Sequence, residues 1–150
     1  MTALETLFRT AMVGDPTLGP LLAKDGGGNP AFYLDQLIQN PVYPAGRFQR
    51  ITTHPYYVHS PASPQGSTGW CRFQVDFWTN GANAAFQREQ LCRALLGALA
   101  LFNAWALPGS PVITGSAPSF LLNRIHTVEP QVHPPLYKAI LDVKVFYQDQ

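Results

Sequence analysis

Charge is scarce in this chain. Asp, Glu, Lys and Arg make up 13% of its 150 residues, half the usual ~25% share. Ten basic side chains meet nine acidic ones for a formal net charge of +1, and no run of like charge occurs anywhere. A general affinity for nucleic acid or for an anionic membrane is therefore excluded as the main business of the surface. Cysteine is equally sparse. Cys71 and Cys92 fall in a strand-like and a helix-like segment with no metal-ligand spacing, which predicts two buried free thiols. Long apolar runs are missing too. The most apolar stretch, Ala94 to Phe102, is far short of the ~20 residues of a membrane span, and residues 1–20, with Glu5, Arg9 and Asp15, show no signal-peptide pattern.

The patterns of catalysis are also lacking. His54, His59, His126 and His133 include no H-x-H or H-E-x-x-H arrangement, and His126 with Glu129 is the nearest approach to a His–acid pair. On a shared strand His54 and His59 would point to opposite faces, because their separation is odd. Gly26-Gly27-Gly28 lacks the lysine and hydroxyl residue of a phosphate-binding loop, and Gly66-Ser67-Thr68-Gly69 lacks the nucleophile-elbow pattern. Asp76 and Asp142 sit on the polar sides of two alternating segments, where solvated carboxylates are expected. The sequence predicts no enzyme, no metal and no cofactor.

Fourteen prolines and a hydrophobic fraction of 46% accompany this weak charge. A surface so poor in charge suits a protein whose exterior is covered by partners. The length fits one domain spanning 1–150. Thr2 and Glu5 stand at capping-box spacing before Leu4, Leu7, Phe8, Ala11 and Met12, which share one helical face. Gly14-Asp15-Pro16 stops that helix, and Leu18, Leu21 and Leu22 suggest a further helical turn. Strand candidates follow at Arg47 to Thr53 and Pro55 to Ser60. Trp70 to Thr79 is a clearer strand, with Cys71, Phe73, Val75 and Phe77 alternating against Arg72, Gln74 and Asp76. Phe120 to Val128 reads as a strand whose alternation Asn123 and Thr127 spoil. The last strand places Tyr137, Ala139, Leu141, Val143, Val145 and Tyr147 opposite Lys138, Asp142 and Lys144.

The main helix, with Asn83 as its expected cap, ends before Pro108-Gly109. Ala84, Leu91, Leu95, Ala98 and Phe102 form its core stripe, with Cys92 and Leu99 at the border. Leu96, Gly97, Ala100 and Leu101 fall outside that stripe. A helix apolar nearly all round is buried on more than one side, so these four residues are the candidate subunit interface. The resulting fold class is α+β: a small antiparallel or mixed sheet with an N-terminal helix and one long helix packed on one face. Ser60 to Gly69, including Ser60, Pro61, Pro64, Gln65 and Gly66, reads as an exposed docking loop. Arg47, Arg50 and Arg72, interleaved with aromatics, are candidates for an interface or for a channel wall.

A family resemblance rests on particular segments. RFQVDFWTNGANAAFQREQLCRALLGAL, with Asp76, Phe77 and Trp78 ending a strand that turns straight into a helix, resembles the corresponding segment of phage tail-completion proteins. ALETLFRTAMVGDPTLGPLLA is similar to that family's opening helix, VYPAGRFQRITTHPYYVHS to its entry into a first strand, and LYKAILDVKVFYQ to its closing strand. The resemblance implies a structural virion protein forming a homohexameric ring at the head-proximal end of the tail tube. Its implied partners are further copies of itself, the tail tube protein and a head–tail connector, with DNA only passing through and no membrane. Assembly would take place in the host cytoplasm. A head-completion adaptor is the first alternative and a small hydrolase the remote one. Gly26 to Pro41 departs from the pattern, with Phe32, Tyr33, Leu34, Leu37 and Ile38 arranged like an inserted short helix.

Overall fold

The computed structural model describes residues 3–39, 41–56, 67–102, 120–129 and 135–149. Its elements are α1 (Ala3–Gly14), α2 (Leu18–Leu21), β1 (Phe32–Leu34), β2 (Ala45–Tyr56), β3 (Ser67–Thr79), α3 (Ala84–Leu101), β4 (Phe120–Glu129) and β5 (Leu136–Asp149). The chain is α+β. Its five strands form one sheet in the order β1-β2-β3-β5-β4, antiparallel throughout except for the parallel β1–β2 pair.

Period-two alternation fixes which face of the sheet is buried. Phe48 of β2 lies opposite Val75 of β3, which in turn lies opposite Leu141 of β5. With Cys71, Phe73, Phe77, Ala139, Val143 and Val145 they make a wholly buried layer. Onto it α3 lays Leu91, Cys92, Leu95, Ala98 and Leu99, and α1 lays Phe8 and Met12, all buried. Phe8 is the pivot: its ring stacks on Phe73 at 4.6 Å and meets Phe102 edge-on at 5.5 Å, joining the N-terminal helix, the central strand and the end of α3. The helices cover this one face, as the alternation predicts.

Several local expectations are corrected. Residues 32–34 are not an inserted helix but strand β1, with Ala31 and Phe32 buried against β2 and Asp35 in the left-handed region at φ 64° ending the run. The two strand candidates before Ser60 are one strand through Tyr56, interrupted by a bulge between Arg50 and Thr52. β3 already begins at Ser67, so residues 67–69 of the expected docking loop are strand, paired with β5 throughout and with β2 from Thr68. Asn83 makes no side-chain cap, and the buried Thr79 Oγ1 donates to the Ala84 carbonyl at 2.7 Å, tying the end of β3 to the start of α3. Asp15 does the capping work before α2, accepting the Thr17 and Leu18 amides at 2.9 and 2.8 Å. Thr2 of the expected capping box lies outside the described residues. The glycine run is a tight turn closed on Asp25, whose carboxylate accepts the amides of Gly27 and Asn29. Those donors are already used, which removes the phosphate-loop reading.

Candidate assembly surface

The outward side of α3 carries the four residues singled out from the helical wheel. Leu96 is 37% and Leu101 80% exposed, Ala100 is exposed between them, and a Cβ added at Gly97 would meet nothing. Phe86, 65% exposed in the first turns of α3, lies on the same stripe. Wheel reasoning missed it because only the apolar cluster at the far end was weighed; its spacing to Gly97, eleven residues or three turns, was the available signal. Beside this stripe α2 and the Asp15–Pro16 turn stand off from α3. They leave a groove of about 450 Å³ lined by Pro16, Thr17, Leu21, Arg93, Gly97 and Leu101. Mostly apolar walls with one guanidinium at the rim suit an apolar side chain from another protein rather than a reacting substrate.

The other face of the sheet has no helix on it among the described residues. Arg47 and Arg72 stand there, but Arg50 does not: the odd spacing from Arg47 turns it to the helix side, over the Phe73 ring and 3.8 Å from Glu5. The three arginines therefore do not form one patch. Nor are Asp76 and Asp142 the solvated carboxylates expected of a polar strand face. Asp76 is wholly buried, with Arg47 Nε donating at 2.7 Å and Gln74 Nε2 at 3.0 Å. Asp142 receives both Nε and Nη2 of Arg72, a forked pair. Burial follows from the neighbours: Arg47 and Lys138 lie over the Trp78 ring at 5.6 and 5.0 Å, Lys144 lies 4.2 Å from the Trp70 ring, and these long side chains roof the strands beneath. Between the pairs, Ile51, Ile125 and Ile140 line a shallow hollow.

At the edge where α3 meets β4, His126 Nε2 stands 3.9 Å from Cys92 Sγ, with Arg88, Arg124 and Glu89 around them. Partial burial, then the two guanidinium charges, hold the His126 imidazole below its ordinary value, so it is neutral at physiological pH. Burial pushes the Cys71 thiol up to about 11 and the Cys92 thiol in the same direction, leaving both as packing residues rather than nucleophiles. His126 and Glu129, three residues apart on β4, project to opposite faces and make no pair. Among the described residues no three of His, Cys, Asp and Glu could together hold a metal ion, and no helix is long and apolar enough to cross a membrane. His59, His133 and the loop residues Ser60, Pro61, Pro64, Gln65 and Gly66 lie outside the described residues.

No protein-family model matches the chain, and no curated protein matches it in sequence. Solved structures do share its fold. One is a chain from the virion of a native gene transfer agent particle, at TM-score 0.52 and 12% identity, over 95% of this chain and 92% of that one.

Proposed function

We propose that this protein is a structural component of a phage-like virion, forming a closed ring, most simply of six subunits, that caps the head-proximal end of a tail tube and offers the surface for head–tail joining. The observation that carries this reading is the likeness, nearly end to end in both chains, to a subunit of a gene transfer agent virion. The order of elements that resembles tail-completion proteins supports it independently. A ring suits the chemistry of the surface: few charges, an apolar stripe on α3, and a sheet face whose cations are held by carboxylates and tryptophans.

In this role the tail tube protein lies on one side of the ring and a connector on the other, while DNA passes through the lumen without sequence-specific contact. Assembly takes place in the host cytoplasm and the product resides in the virion. The chemistry is association, without a cofactor or a catalytic step. Electron microscopy of particles assembled with and without this chain tests the proposal. Density for a ring of this fold between tail tube and head, and separate heads and tails in its absence, are the expected results. Normally joined particles lacking the chain would reject the function, and density at the portal would reassign it to a head-completion adaptor.

A further inference from the structure

The two ends of the sheet are finished differently. At one end β1 pairs with Gly46 to Phe48 only, and the Asp35 amide takes the Phe48 carbonyl. From Gln49 onward the outer side of β2 has no neighbouring strand among the described residues, until Pro55, which has no amide to give, closes the run. At the other end lies β4, ten residues long and exposed on both faces from Leu122 to Glu129. Edge strands of monomeric proteins are ordinarily short, or blunted by proline or lysine. β4 contains neither, and its one bulge, between Leu121 and Asn123, leaves the edge from Asn123 to Glu129 regular. It presents Leu122, Ile125 and Val128 at 45, 47 and 44% exposure, and Arg88 reaches one of its carbonyls, that of Thr127.

We infer that β4 of one copy pairs with the Gln49–His54 edge of β2 in the next copy, so that neighbouring subunits share one continuous sheet. Directions favour the match: β2, β3, β5 and β4 alternate along the sheet, so a neighbour placed head to tail presents its β2 antiparallel to β4. Side chains favour it as well. Ile51, 43% exposed on β2, comes beside Ile125, the 47% exposed side chain that β4 presents on the open face.

A two-fold pairing of β4 with itself fits less well. Arg124 and Arg88 flank β4 beside one carboxylate, Glu89, so a two-fold axis gathers four guanidinium groups around two carboxylates. The head-to-tail seam instead brings Arg124, Arg88 and Glu89 toward Arg50 and Glu5, three guanidinium groups around two carboxylates. A seam made of two different edges is heterologous and repeats around a ring until it closes. The inference rests on the ring proposed above, and it names the seam that closes it.

Two variants of the full chain test it: Ile125→Lys with Val128→Lys on β4, and Ile51→Lys on β2. Circular dichroism establishes that each is folded, and native mass spectrometry reads assembly at concentrations where the wild type self-associates. Each variant alone is expected to stay monomeric. An equimolar mixture should give a one-to-one pair and nothing larger, since only one edge of each is intact. Amide exchange at Leu122 to Glu129 should slow about tenfold or more in the wild-type assembly. Normal assembly of Ile51→Lys, or a wild-type chain monomeric at every concentration tried, overturns the inference. A ring at the tail whose β4 amides exchange freely sinks this seam and leaves the ring; protected β4 amides in an oligomer absent from the tail sink the ring's location and leave the seam.

Discussion

Asp76 is buried to its last atom, and its carboxylate accepts from two donors, Arg47 and Gln74. Replacing Arg47 by Met keeps much of the stem over Trp78 and removes the cation. The carboxylate is then left with one amide partner, a loss that typically costs about 3 kcal/mol for a buried pair. Urea unfolding of Arg47→Met should show that fall, and adding Asp76→Asn should recover part of it, because the stranded charge is gone. An unchanged midpoint would mean water reaches Asp76 after all. His126 gives a second residue-scale expectation. Its imidazole is harder to protonate in the fold than in the unfolded chain, so stability is full above the ordinary value of 6.5 and declines as pH falls below it. His126→Gln should flatten that part of the acid limb in thermal melts between pH 7 and 5. Neither site could be read fully from the sequence. Alternation correctly put Asp76 on the side away from the core, but only the β2–β3 register sets it opposite Arg47.

At the scale of elements, the long periodic segments were legible and the short or two-sided ones were not. β3, β5 and α3 each set one continuous apolar face into the core, so their apolar positions repeat and their core residues follow from the repeat. β4 is exposed on both faces and bulged between Leu121 and Asn123, which is why Asn123 and Thr127 seem to break its alternation. β1 has three residues, too few to distinguish a strand from a helical turn. Its place is fixed by tertiary contact, through Gly46. A Cβ there would stand 2.7 Å from the Phe32 ring and 2.9 Å from the Phe77 ring. Gly46→Ala should therefore push β1 off the sheet and cost about 1–3 kcal/mol, checked by melting temperature and by faster exchange at the Phe32–Leu34 amides. The outer stripe of α3 makes the opposite prediction. Leu101→Glu, at 80% exposure, should leave the melt of the isolated chain within about 0.5 kcal/mol of wild type while weakening association. Equal damage to both would place Leu101 in the core of the subunit.

For the molecule as a whole, the sequence indicated an α+β chain, and the helix layer on one face of the sheet agrees with that reading. What it could not indicate is the strand order. The pairing of β3 with β5 joins segments separated by α3 and β4, and no local pattern records it or the parallel sense of β1 on β2. Among the described residues that order leaves two unlike open edges and an apolar helix stripe as the surfaces by which copies can meet, while most cations on the open sheet face are engaged within their own subunit. Association should accordingly respond to salt as apolar burial does. Raising sodium chloride from about 0.05 to about 0.5 M shortens the screening length from roughly 14 to roughly 4 Å, which weakens assemblies held by opposed surface charge. Here the assembled fraction, measured by sedimentation, should hold steady or rise, and sulfate should raise it further, since excluded salts strengthen apolar contacts. Dissociation of the assembly across that range would instead place the seam on the charged sheet face, where Arg72, Asp142, Lys138 and Lys144 would have to exchange their internal partners for those of a neighbour.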